Sequence, residues 1–116
     1  MSDIFIILAG GLGMFIAVVH GYLGATKVVA PVEGIAASSK RILHAIFFLS
    51  AVYWFIGGAV LVAAPFYLSD EDRQVAALLV GALYLSGAVA NFWGTRGRHF
   101  GWMLLSVAVV FAWLGQ

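Results

Sequence analysis

The chain has 116 residues, 64% of them hydrophobic and only 9% charged, with a mean hydropathy of +1.06, a balance that fits a bilayer rather than water as solvent. Six basic against five acidic residues leave a net charge of +1, so there is no polybasic arm or stripe for nucleic acid. The absence of Cys removes disulfides, thiol redox chemistry, iron-sulfur clusters and thiolate zinc sites, and leaves His, carboxylates, Tyr and Met as the groups able to hold a metal.

A helix rises about 1.5 Å per residue and the hydrocarbon layer is about 30 Å thick, so a span needs about 20 apolar residues. The first apolar run, "IFIILAGGLGMFIAVVHGYLGAT", is long enough and lacks a basic segment ahead of it, with Met1, Ser2 and Asp3 in that place. It is therefore expected to be a retained helix over residues 4–26. Further spans are expected at 42–64, 74–93 and 100–114, the last short enough to require an early start in the connector or a thinned layer. Continuous apolar runs without period-two alternation argue against a strand barrel. The predicted architecture is an all-α integral membrane four-helix bundle forming one domain.

The connectors set the orientation. Lys27, Lys40 and Arg41 belong to the first and Arg96 and Arg98 to the third, whereas the second, "PFYLSDEDR", has Arg73 as its one basic residue. The positive-inside bias then places the first and third connectors in the cytoplasm and both chain ends outside, N-out and C-out, for a multi-pass protein of the cell inner membrane. Pro65 is expected to end the second helix, with Ser38 and Ser39 capping its start. Ser69 ahead of Asp70, Glu71 and Asp72 reads as the cap and acidic first turn of the third. The middle of the first connector, "VVAPVEGIAA", is too apolar for a solvated loop and too short to span, and is expected to lie in the interface or dip into the bilayer against the bundle, with Glu33 as its only acid.

Small residues mark the packing faces. Gly10, Gly13, Ala17, Gly21 and Gly24 share a stripe about 80° wide at 100° per residue, and Ala76, Val80, Tyr84, Gly87 and Asn91 share a face of the third helix. Trp93 and Trp102 fall near one predicted interface, and Phe66, Tyr67 and Trp113 near the other. Trp54 lies halfway along the second helix and reads, with "IFFLSAVYWF", as a lipid- or protein-facing surface.

This topology brings every His to one side. His20 nears the cytoplasmic end of the first helix, His44 opens the second and His99 stands at the mouth of the fourth, with Asn91 and Glu33 at a similar level. An ionisable group within a span is costly unless paired, and so is a candidate for function. Two or three imidazoles from facing helices can ligate haem axially or bind a metal ion, which makes His20, His44 and, as a third, His99 the candidate metal ligands, with Asn91 and Glu33 completing a cofactor site. Against this stand the lack of a His-x-x-His or His-x-x-x-His pair and of paired carboxylates. Lys40, Arg41, Arg96 and Arg98 are candidates to hold an anionic lipid headgroup.

With "HGYLG" closing the first helix, His44 opening the second and "RGRHFGW" opening the fourth, the chain resembles a group of small four-helix bacterial inner-membrane proteins carrying His-x-x-Leu-Gly and Gly-Arg-His-x-Gly-Trp patterns. The resemblance points to the three His as the positions of interest and implies no substrate. The leading expectation is an accessory or structural subunit that packs against other membrane proteins or itself. A haem- or metal-binding protein is the alternative, and a small transporter a lesser one. No nucleophile-base pair or paired carboxylates suggest an enzyme.

Overall fold

The computed structural model describes residues 2–116, and Met1 lies outside the described residues. Its four α-helices are α1 (Ser2–Leu23), α2 (Ala37–Tyr67), α3 (Asp70–Thr95) and α4 (Gly101–Leu114), with no strand among the described residues. A π-helical turn, Gly24–Val29, continues α1. Three stretches, Asp3–Val29, Ala37–Tyr67 and Asp70–Thr95, are long and apolar enough to cross a membrane, while α4 is shorter.

The first three helices exceed their expected bounds because polar residues that would leave a bilayer still favour, or tolerate, the helical backbone, whereas α4 begins at Gly101 without an early start in the connector. The second starts five residues early, at Ala37 rather than 42, so Ser38 and Ser39 sit inside its first turn and cap nothing. Ala36 occupies the cap position in an extended conformation without a side-chain bond. Pro65 does not end α2 either. It lies in the last turn, where its missing N–H removes a single bond, and the Leu68 N–H still closes on the Ala64 carbonyl at 3.0 Å. Ser69 does cap α3 as expected, its hydroxyl oxygen accepting the Asp72 N–H at 3.1 Å beside the acidic first turn. The apolar connector, residues 30–36, does not dip into the bundle. Val29 is buried beneath it, but Glu33 is exposed, and the Lys40 ammonium clasps the loop by donating to the carbonyls of Ala30 (2.8 Å) and Val32 (3.1 Å).

The glycine stripes are filled from within the chain. A Cβ at Gly58 of α2 would lie 2.6 Å from the Gly10 carbonyl oxygen and 2.7 Å from Met14, so α1 and α2 meet backbone to backbone. Gly13 makes room for the Tyr84 ring, Gly81 for the Trp113 indole and Gly87 for the Trp54 ring. Around these contacts, Ile6, Leu61, Ala77, Tyr84 and Leu105 form the core with α4 wedged against α1 and α3. Among neighbouring helices, α2 and α3 pack most loosely. No charged side chain is buried among the described residues, while Phe48, Tyr67 and Trp93 are 70%, 83% and 83% exposed, so large apolar side chains lie on the outer surface as well as inside.

The antiparallel helices sort the charges. One end, called basic below, holds Lys27, Lys40, Arg41, Arg96 and Arg98. The other, acidic, holds Asp3, Asp70, Glu71 and Asp72 with Arg73, whose guanidinium pairs with both Asp3 and Asp70 and so ties the start of α1 to the start of α3.

Candidate functional site

The segment joining α3 to α4 is built by capping bonds. Arg96 takes the left-handed conformation (φ 54°) and Gly97 follows at φ 74°; the Gly97 N–H returns to the Phe92 carbonyl at 2.8 Å and the Arg96 N–H to that of Trp93 at 3.4 Å, closing the α3 C-terminus in a Schellman arrangement. Trp102 braces this turn by donating its indole N–H to the Gly97 carbonyl at 3.1 Å and setting its ring edge-on to Phe92 at 5.1 Å.

Two predicted site residues serve the start of α4, whose first N–H groups have no partner in their own helix. The Gly101 N–H donates to His99 Nδ1 at 3.1 Å, and the Trp102 N–H to Asn91 Oδ1, also at 3.1 Å. Thr95 holds the pair in register by donating to the Asn91 carbonyl (2.7 Å) and accepting the His99 N–H (3.4 Å). With Nδ1 turned to the Gly101 N–H, His99 does not present that nitrogen to a metal in the cavity.

Above the Trp54 and Leu105 side chains, toward the basic end, the four helices enclose a cavity of about 730 Å³. His20, Asn91 and His99 all line it, and no Asp, Glu, Lys or Arg does. Several of its lining residues are exposed, among them Phe15 on α1, Ile46 and Tyr53 on α2, Ser86 and Ala90 on α3 and Phe100 ahead of α4, so the cavity is partly open at the bundle surface. The hydroxyls of Ser50 and Ser86 are turned back onto their own helices, to the carbonyls of Ile46 (2.5 Å) and Leu83 (2.6 Å), which leaves the walls largely apolar.

His20 stands apart from the other polar residues of this wall. Its ring is tilted against Trp54 (centroids 4.4 Å apart) and Phe47 (5.1 Å), with Gly24 one turn on admitting the Phe47 ring. Nε2 of His20 is the one buried side-chain nitrogen or oxygen, among the described residues, without a hydrogen-bond partner. Such an atom costs about 1–3 kcal/mol if nothing meets it, and in native proteins it marks a strained, catalytic or ligand-receiving position.

The structure thus brings together three of the five predicted cofactor-site residues. His44 is half-buried in the second turn of α2 and Glu33 is exposed on the first connector, and neither lines the cavity, because α2 begins earlier and the connector stays outside the bundle. No group of three or more His, Cys, Asp and Glu able to hold a metal ion exists among the described residues, so the expected convergence of three imidazoles on a metal is not formed. Of the four candidate headgroup cations, Lys40 is engaged by the loop carbonyls, and Arg41, Arg96 and Arg98 are exposed at the basic end. Trp54 is not a surface residue: it is 7% exposed and forms the cavity floor. Gly87, seven residues before Gly94 on the same cavity-lining side of α3, was the signal that a large ring has to be accommodated there.

No family model matches the chain, and no curated protein and no solved structure matches it.

Proposed function

We propose that the chain is a multi-pass inner-membrane protein, with its basic end in the cytoplasm and both termini outside, that receives a small lipophilic molecule in its basic-end cavity. Membrane insertion is supported by three helices of spanning length and by an outer surface carrying fully exposed Phe, Tyr and Trp. The orientation is supported by the segregation of five of the six Lys and Arg at one end. The single observation that carries the binding reading is the uncharged cavity of about 730 Å³, a size and chemistry suited to a drug-sized apolar ligand, and its exposed lining residues on the loosely packed α2 and α3 give such a ligand a way in.

The test is saturable binding of a neutral lipophilic fluorophore, N-phenyl-1-naphthylamine, to the protein in nanodiscs, corrected for uptake by empty nanodiscs. Gly94 lines the cavity and a Cβ there meets nothing within 4 Å, so Gly94→Phe adds a ring at the cavity wall without forcing the backbone apart. One saturable site in the native chain, lost in Gly94→Phe, supports the reading; uptake equal to that of empty nanodiscs overturns it.

A bis-imidazole haem or a His-bound metal is less well supported, since His44 lies elsewhere and His99 uses Nδ1 as a cap. The accessory-subunit reading retains one specific observation. Ala82, Ser86, Ala90 and Gly94 form an exposed ridge of small residues at four-residue spacing along α3, next to exposed Trp93, a face on which another membrane helix, including that of a second copy, can lie closely. Its glycine-stripe basis is weaker, because α1 and the inner face of α3 are already filled by side chains of this chain. Crosslinking through Ala82→Cys tests it, with a covalent dimer formed in native membranes as the expected product and monomer alone as the contrary one.

A further inference from the structure

We propose that the ligand is a neutral, planar, carbonyl-bearing ring compound with an apolar tail, of the quinone class, and that His20 donates a hydrogen bond to its carbonyl oxygen. The inference rests on the cavity-binding reading above and narrows it.

Three properties of the cavity select this chemistry. First, no ionised side chain lines it, so an ion taken inside has no counter-charge, and burial of an unpaired charge is prohibitive. The ligand is therefore neutral. Second, few polar groups of the wall are free. Asn91 Oδ1 and His99 Nδ1 accept the N–H groups that open α4, while the hydroxyls of Ser50, Ser86 and Thr95 each donate to a carbonyl of their own helix. What remains is the Asn91 amide N–H₂, the hydroxyl oxygens of Ser50 and Ser86, whose protons are spent, and the imidazole of His20, which makes no bond through its buried Nε2. With every wall hydroxyl proton spent, the free donors are the N–H groups of Asn91 and His20, and a ligand carbonyl oxygen accepts from them. Third, the wall is aromatic. Phe15, Phe47, Tyr53, Trp54 and Phe100 line it, with Phe47 and Trp54 packed on the His20 ring, so a flat ring meets aromatic surface while the loose packing of α2 against α3 leaves a path for a tail.

The same groups account for the unpartnered His20 nitrogen. An imidazole has one donor and one acceptor when neutral, and a carbonyl oxygen arriving from the bilayer satisfies the donor without any change of charge.

The experiment compares 2,3-dimethyl-1,4-naphthoquinone with 2,3-dimethylnaphthalene, which has the same ring outline and no oxygen. Each is titrated into protein-loaded nanodiscs, with uptake by empty nanodiscs subtracted. The expected result is that both saturate one site and that the quinone binds about threefold to tenfold more tightly, the effect of one neutral hydrogen bond. His20→Phe is expected to abolish that preference while still binding the hydrocarbon. In protein labelled with ¹⁵N-histidine, the quinone but not the hydrocarbon is expected to shift the His20 ring resonance, a readout that needs no variant. Equal affinity for the two compounds overturns the proposal and leaves the cavity reading standing. A quinone preference that survives in His20→Phe, or an unmoved His20 resonance, removes His20 from the role. No saturable binding of either compound overturns this proposal and the cavity reading together.

Discussion

The Tyr84 hydroxyl, fully buried on α3, donates to the main-chain carbonyl of Trp54 on α2 at 2.9 Å, directly beneath the cavity. The same Tyr ring fills the space left by Gly13 on α1, so one side chain joins three helices. Removing the hydroxyl in Tyr84→Phe is expected to lower stability by about 1 kcal/mol, the scale of one buried neutral hydrogen bond, read by thermal unfolding in mild detergent. Gly13→Ala, which drives a methyl group into the Tyr84 hydroxyl and ring, is expected to cost more. Since part of that clash is with the oxygen, the double variant Gly13→Ala/Tyr84→Phe is expected to be more stable than the sum of the singles predicts. Strict additivity would show that the two residues do not press on one another.

Gly58 and Gly11 predict opposite outcomes for the same substitution. Gly58→Ala places its methyl 2.6 Å from the Gly10 carbonyl oxygen, against backbone that has no room to yield, and is expected to cost about 2 kcal/mol or more. Gly11 faces open space, so Gly11→Ala is expected to be neutral or slightly stabilising, by up to about 1 kcal/mol from helix propensity. Equal losses in both would mean that α1 and α2 do not meet along this seam.

The cap on α4 predicts a chemical distinction at residue 91. Asn91→Asp keeps an oxygen for the Trp102 N–H, sets its charge against the N–H groups that open α4, and is expected to lose less stability than Asn91→Leu. Asn91→Leu loses it and is expected to cost about 1 kcal/mol, within the range seen for helix caps. Comparable loss in both variants would assign the effect to packing and not to the cap.

Much of this was legible from the residue pattern, and what was missed has a common cause. Four apolar runs, and the small residues at helical spacing within them, carry the helix count and the packing faces, because both are set by periodicity within one segment. Helix ends were less readable. Residues 37–41 are polar, so hydropathy excluded them from α2, yet nothing in their backbone chemistry forbids a helix; and Pro65, so near the end of α2, removes too little bonding to stop it. The site depended on relations between segments. His20, Asn91 and His99 share a level as the topology implied, but that His99 and Asn91 face the first turn of α4 follows from the tight turn at Arg96 and Gly97, which no spacing rule announces. Trp54 was misplaced for the same reason: a midspan aromatic reads as lipid-facing until Gly87 on another helix is seen to receive it.

The orientation makes a prediction independent of the site. The chain has no Cys, so single cysteines report accessibility without background. Glu33→Cys, on the connector at the basic end, is expected to react with a membrane-impermeant maleimide only after cell lysis, and Gln116→Cys to react in intact spheroplasts. The reverse labelling pattern would place the basic end outside.

The central claim is that the space between the basic-end halves of the helices is a binding site, and native mass spectrometry of the protein released from its own membranes tests it most directly. The account predicts a fraction of the native chain carrying one neutral lipophilic molecule, and none of Gly94→Phe doing so. A native chain that flies bare under conditions that preserve weakly held lipids, or an adduct retained in full by Gly94→Phe, would contradict it.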